Sequence, residues 1–258
     1  GGTEPQNSDV TVTNGLELVV TTTHATGTGS LHQAILDANL TVGVTDTITF
    51  NIGGGGAQTI AVDAAGLPII TDAVILDATT QPGYSGTPLI TLDGSTTTSE
   101  INGITIRAND RTVKGFIVIN FADEGIEIDG STGFGDNNIV QNNWVGIDAN
   151  GNIAANAEHA VMVSVDATGN QIGGDGLNEG NVIAGAPAGF SGIIIRSNSD
   201  NNNVEGNIIG LKPDGITPAG NGGNGISIVL SSDSNRIGGI TAGAGNVISA
   251  NTGDGIYI

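Results

Sequence analysis

Cysteine is absent from the 258 residues, which excludes a disulfide framework and thiol chemistry and leaves stability to the core. Aromatic residues make up only 3% of the chain, with a single Trp, so few broad platforms exist on which a sugar ring could stack. Basic residues are equally scarce. Against 26 Asp+Glu stand 6 Lys+Arg, a formal charge of −20. That field repels phosphate backbones and anionic membranes, so nucleic acid is not an expected partner. No uninterrupted apolar run reaches membrane-spanning length, and no membrane span is expected.

What is abundant is glycine, at 43 residues, together with Asn, Asp and Thr for turns and Ile and Val for strands. The glycines follow no Gly-x-y period, which excludes collagen, and the 38% apolar content is too high for a disordered chain. One helix is legible. Ser30 stands as N-cap with Gln33 at capping-box spacing, and Leu31, Ala34, Ile35 and Ala38 form its apolar stripe. Residues 9–23 alternate and predict edge strands around an Asn14-Gly15 turn that begin a sheet. Beyond the helix, short β-branched runs separated by Gly, Asp, Asn and Pro continue to the end without a second helical pattern.

The second half repeats. GIEI begins at Gly125, AVMV at Ala160, GIII at Gly192, GISI at Gly225 and GIYI at Gly255, at spacings of 35, 32, 33 and 30 residues. Two further strand-like runs lie between successive anchors, so each repeat supplies the three faces of one coil of a solenoid. Loop sequences alternate as well: residues 146–151 resemble 210–215, and the NQIGG…GNVIAG stretch resembles NRIGG…GNVISA, making a larger unit of two coils. Period two turns Ile126, Ile193, Ile226 and Ile256 inward as a ladder and leaves Glu127, Ile194, Ser227 and Tyr257 outward. Asn138, Asn181, Asn203, Asn207, Asn235 and Asn246 recur where strands turn, as expected of side chains that bond local backbone or stack between coils. The expected fold is an all-β, right-handed parallel β-helix solenoid in one domain. Residues 1–45 would supply a lead strand and a short α-helical cap, and 46–258 the stacked coils. The strand-like finish GDGIYI predicts further coils or a cap at the C-terminal end.

The order of GSLHQAILDAN, DTITFNI, the stretch LPIITDAVILDATTQPGYSGTPLITLDG and the repeated GNVI and GNII segments resembles secreted bacterial β-helix repeat proteins with an SLRQAILDAN-like helical cap, from about Thr21 onward. The resemblance implies a secreted or bacterial cell-surface location. It also implies a structural, display or adhesion module within a larger surface protein, with an extracellular glycan or a surface protein as partner. It supplies no catalytic residue set. Where the family commonly carries Arg this chain has His32, so no charge role is carried over there.

The alternative expectation is a polysaccharide lyase or glycoside hydrolase. Fold cannot decide between them. A lyase needs a basic group near the sugar and carboxylates for a cation, and the candidates are Arg107, Arg111 and Glu127, with Arg196 continuing the stripe. A hydrolase needs two carboxylates across the sugar, for which Asp123 with Asp129 or Glu124 with Glu127 would serve. Trp144 beside Asp148 is the candidate carbohydrate platform. Calcium is the expected cofactor, its candidate ligands being Asp148, Asn150, Asp175, Glu179 and Asp214 in loops rich in oxygen donors. His24, His32 and His159 are too dispersed for a metal signature, and Gly53–Gly56 lack the Lys and Ser/Thr of a phosphate loop.

Overall fold

The computed structural model describes residues 15–98 and 100–258. The part of the predicted opening strands that falls on residues 9–14 lies outside them, and the first strand is Glu17–Val20. The chain then visits three parallel sheets in strict rotation. Sheet A has eight strands, sheet B seven and sheet C six. From Asp46–Phe50 in sheet A the path runs to Gln58–Ala61 in B, touches C as a bridge at Ile70, and returns to A at Val74–Asp77. Repetition of that circuit builds a parallel β-helix. At about 4.8 Å between hydrogen-bonded neighbours, seven coils make a rod roughly 30 Å long.

Side-chain period explains why the circuit closes. In sheet A, Ile48, Leu76, Val113, Val140, Ile172 and Val204 stand in register through successive coils. Sheet B contributes Ile60, Leu92, Val118, Val145, Ile183 and Ile209. In sheet C the predicted ladder is present, completed by Val161 between Ile126 and Ile193. The ladders meet in one core, and at about 25 cal/mol per Å² of apolar surface removed from water they are the dominant favourable contribution to folding. Basic side chains add only local pairing between adjacent coils: Lys114 with Asp77 at 3.0 Å and Arg236 with Glu205 at 3.0 Å.

In the later coils asparagine secures all three corners. Between sheets C and A, Asn138, Asn170, Asn202 and Asn235 are stacked so that each side-chain oxygen accepts from the backbone N–H of the coil before. Between A and B the series is Asn143, Asn181, Asn207 and Asn246. Between B and C, Asn156 holds Phe121, and Asn221 pairs with Asn251. The sequence expectation placed Asn203 among them. It instead points outward from a strand and accepts from Arg236 Nε at 3.1 Å, while its neighbour Asn202 occupies the ladder.

Helix α1 (Leu31–Ala38) follows the first sheet-A strand and buries Leu31, Ala34, Ile35 and Ala38 on the end of the core. Ser30 Oγ accepts from Gln33 N at 3.1 Å, but the reciprocal half of a capping box is not made, because Ser30 N donates to Gly27 O, while Gln33 Nε2 donates to Asp37 one turn on. Asn39 ties the helix to the first coil by donating to Ile69 O and accepting from Thr71 N. Among the described residues no helix is long and apolar enough to cross a membrane.

Candidate functional site

The outer surface of sheet C gathers most of the chemistry. Because each coil enters this sheet through the same x-Gly-Ile or His-Ala-Val pattern, outward residues align in three columns. Asn102, Glu124, His159 and Ser191 precede the strands; Thr105, Glu127, Met162, Ile194 and Ser227 sit mid-strand; Arg107, Asp129, Ser164 and Arg196 close them. The predicted stripe is thus present in register, with Arg196 in the same column as Arg107. Arg111 is not part of it, since four residues beyond Arg107 the chain has already turned the corner into sheet A.

Arg107 and Glu127 line one cavity of about 210 Å³, with Glu100, Asn102 and Thr105. Arg107 Nε bonds Asp129 Oδ2 at 2.6 Å, and Asn102 Nδ2 donates to Glu127 Oε2 at 2.7 Å. Opposite influences separate the two neighbouring carboxyls. Burial works to raise Asp129, but hydrogen bonds from Ser131 and Arg107, with the Arg107 charge, outweigh it and hold the group below the ordinary carboxylate range. Glu127 is raised by burial and then by the Asp129 charge, with Arg107 opposing.

One coil-corner away, Asp123, Glu124 and Glu158 bring carboxylate oxygens within 4.8 Å of one another. Glu124 is buried, and that burial, followed by the charge and hydrogen bond of Asp123 and the charges of Glu158 and Glu127, raises it to about 9. The neutral acid can donate to a carboxylate, which lets three acidic side chains share this space. Beside them His159 Nδ1 accepts from Ser191 N at 3.0 Å, so the proton of the neutral ring sits on Nε2. Burial holds this imidazole below its ordinary value, the Arg196 charge acts in the same sense, and the ring meets Phe190 edge to face at 5.1 Å. Neither the burial of Glu124 nor that of His159 was anticipated from sequence. The signal was available in the position before each Gly-Ile or Ala-Val pair.

Glu124 makes stability depend on pH with a definite sign. Between its ordinary value of 4.5 and about 9, the native state keeps a proton that the unfolded state has shed. Stability therefore falls as pH rises through this window. Glu124→Gln is expected to be more stable than the parent at alkaline pH, by at least about 1 kcal/mol near pH 8.5, with the gap closing toward about pH 5. Urea denaturation of both proteins across that range checks it; parallel curves would mean that Glu124 ionises normally.

The other sequence candidates serve their own loops. Asp148 Oδ1 accepts from the backbone of Asn150 and Asn152, and Asp214 accepts from Ile216 N, Thr217 N and Thr217 Oγ1. Those bonds from Thr217, then from Ile216, bring Asp214 down to about 2. Glu179 accepts from Gly176 N, and Asp175 from Thr241. Trp144 is half-buried against a second small cluster of Ile147, Val182, Ala184 and Ala219 formed where the 146–153 and 210–218 loops fold over sheet B. These residues lie on different loops and do not converge with the sheet-C columns. No family model matches the chain, and no curated protein matches it significantly.

Proposed function

We propose that the chain is a non-catalytic structural, display or adhesion module of a larger secreted or bacterial cell-surface protein, related to the bacterial β-helix repeat proteins it resembles in sequence. The observation that carries this reading is the disposition of polar side chains: the corner asparagines bond from coil to coil, and the carboxylates of Asp148 and Asp214 are taken up by their own loops. A chain that commits its polar groups to one shape is suited to presenting surface at a fixed distance. The acidic exterior, −20 overall, suits a saline or calcium-containing medium.

A second reading, cleavage of an extracellular polysaccharide, is favoured by one feature, the buried Glu124, whose carboxyl is pushed up to about 9 and so keeps its proton at neutral pH. An acid and a base with separated affinities for protons are what glycoside hydrolysis requires. In its lyase form Arg107 would face the sugar as the basic group.

A screen of neutral and acidic polysaccharides, with and without calcium, separates the two by following new reducing ends and unsaturated products. The display reading expects no product from folded protein. Product formation that disappears in Glu124→Gln would replace it with the second.

A further inference from the structure

The asparagine ladder at the corner between sheets C and A begins only at Asn138; the three coils before it carry Asp46, Val74 and Arg111 in the same register position. Thr112 pairs with Ile139, and Ile139 with Gln171, so the residue before Thr112 stands in the ladder position of Asn138, Asn170, Asn202 and Asn235. That residue is Arg111. Its backbone N–H is received by Asn138 like any other member, but its side chain is a guanidinium, nine-tenths buried. Its Nε finds no hydrogen-bond partner among the described residues, and neither does Asp72 Oδ2 in the preceding coil. The two side chains approach only to 4.0 Å, Nη2 to Oδ1. Burying an arginine with its Nε unpaired is costly, and asparagine, which the repeat uses in the following coils, would avoid it. A buried charged side chain that the surrounding structure does not satisfy marks a functional position.

Both residues line a cavity of about 420 Å³ that runs along this corner beneath Phe134. Phe134 is 54% exposed in an otherwise glycine-rich loop. Asn109 Oδ1 holds that loop in place by accepting from Gly135 N and Asp136 N. Val42 and Ala108 extend the apolar rim. Three properties define the occupant. A 4.0 Å gap between a donor and an acceptor is the span bridged by one hydroxyl that accepts from the guanidinium and donates to the carboxylate. Asp72 and Asp110 together outweigh the single Arg111 charge, so an anion is disfavoured. The exposed ring offers an apolar face.

We infer that this cavity is a binding site for a neutral sugar residue of a glycan, its hydroxyls held between Arg111 and Asp72 and its apolar ring face against Phe134. The site shares no residue with the sheet-C columns and is read by binding, so it stands or falls separately from the display reading, which is read by turnover.

The test uses the full chain with maltotriose, cellotriose, mannotriose and chitotriose as neutral probes and trigalacturonate as the charged comparator. Saturation-transfer NMR detects binding and calorimetry gives Kd. At least one neutral trisaccharide is expected to bind, and more tightly than trigalacturonate. Arg111→Asn, which continues the asparagine ladder and so keeps the fold, is expected to weaken it by at least about tenfold, as loss of a charged hydrogen bond does. Phe134→Ala, confined to the exposed loop, is expected to weaken it by about threefold or more. Absence of binding by all four neutral probes at about 10 mM overturns the inference, as does tighter binding of trigalacturonate or unchanged affinity in both variants. Should Arg111→Asn fail to fold, Phe134→Ala alone decides.

Discussion

Replacing Asn202 by alanine is expected to destabilise the protein by about 3–5 kcal/mol, whereas the same change at the next residue, Asn203, is expected to cost less than about 0.5 kcal/mol. Asn202 is fully buried; its Oδ1 accepts from Asn170 N at 2.8 Å and Asn170 Nδ2 at 2.9 Å, while its Nδ2 donates to Ala167 O and Asn235 Oδ1 at 3.1 Å. Truncation leaves a backbone N–H and a carbonyl without partners inside the rod, each worth about 1–3 kcal/mol. No water from bulk reaches them. Asn203 gives up only one bond from Arg236 at the surface. Thermal denaturation should lower the melting point of Asn202→Ala by roughly 6–20 °C and leave Asn203→Ala near the parent. Equal behaviour of the pair would show that corner asparagines are solvated decoration.

Gly173→Ala is expected to be comparably severe, about 4 kcal/mol or outright failure to fold, through a different cause. Gly173 has φ +90°, and a Cβ placed there would lie 2.0 Å from the carbonyl oxygen of Glu205 in the next coil and 2.6 Å from Asn207 Oδ1. Neither neighbour can retreat: Gly173 and Glu205 are paired across the sheet, and Asn207 is held by the corner ladder. Gly245→Ala is the control, because a Cβ there meets nothing within 4 Å. Circular dichroism and urea denaturation should find it within about 0.5 kcal/mol of the parent. A Gly173→Ala protein of parental stability would mean that coils part by an ångström or more at little cost.

The architecture was legible because period two and a repeat of about 33 residues are properties of sequence alone. Ile126, Ile193 and Ile226 of sheet C and the four buried residues of the cap are where the pattern puts them, whereas Ile256 keeps its register but is exposed. The corner asparagines were legible as a class but not residue by residue. In the run Asn201-Asn202-Asn203, composition and spacing cannot say which side chain turns inward, because the chain bends there and the two-residue period is interrupted. The same bend explains the grouping of Arg111 with Arg107: close in sequence, they lie on different faces. Arg107 and Glu127 share one cavity as expected because Glu127 sits on a strand and Arg107 directly follows one, where alternation still holds. The burial of Glu124 and His159 is not legible in sequence because both precede a strand at a turn, and turn residues are usually exposed. Here both are buried beside the neighbouring coils' corner residues, including Asn102 and Ser191.

Coils of this rod are not interchangeable one by one. The loop at 146–153 meets the loop at 210–218 two coils later, where Gly151 approaches Lys212, and the loop after Gly173 reaches Thr241 and Gly243 in the same manner across an intervening coil. Among these coils, inserting a single coil would set unlike loops against each other, whereas inserting an adjacent pair keeps like against like. The half of the rod from Gly125 onward is therefore built in pairs of coils, and a duplication that preserves its loop contacts copies two at a time.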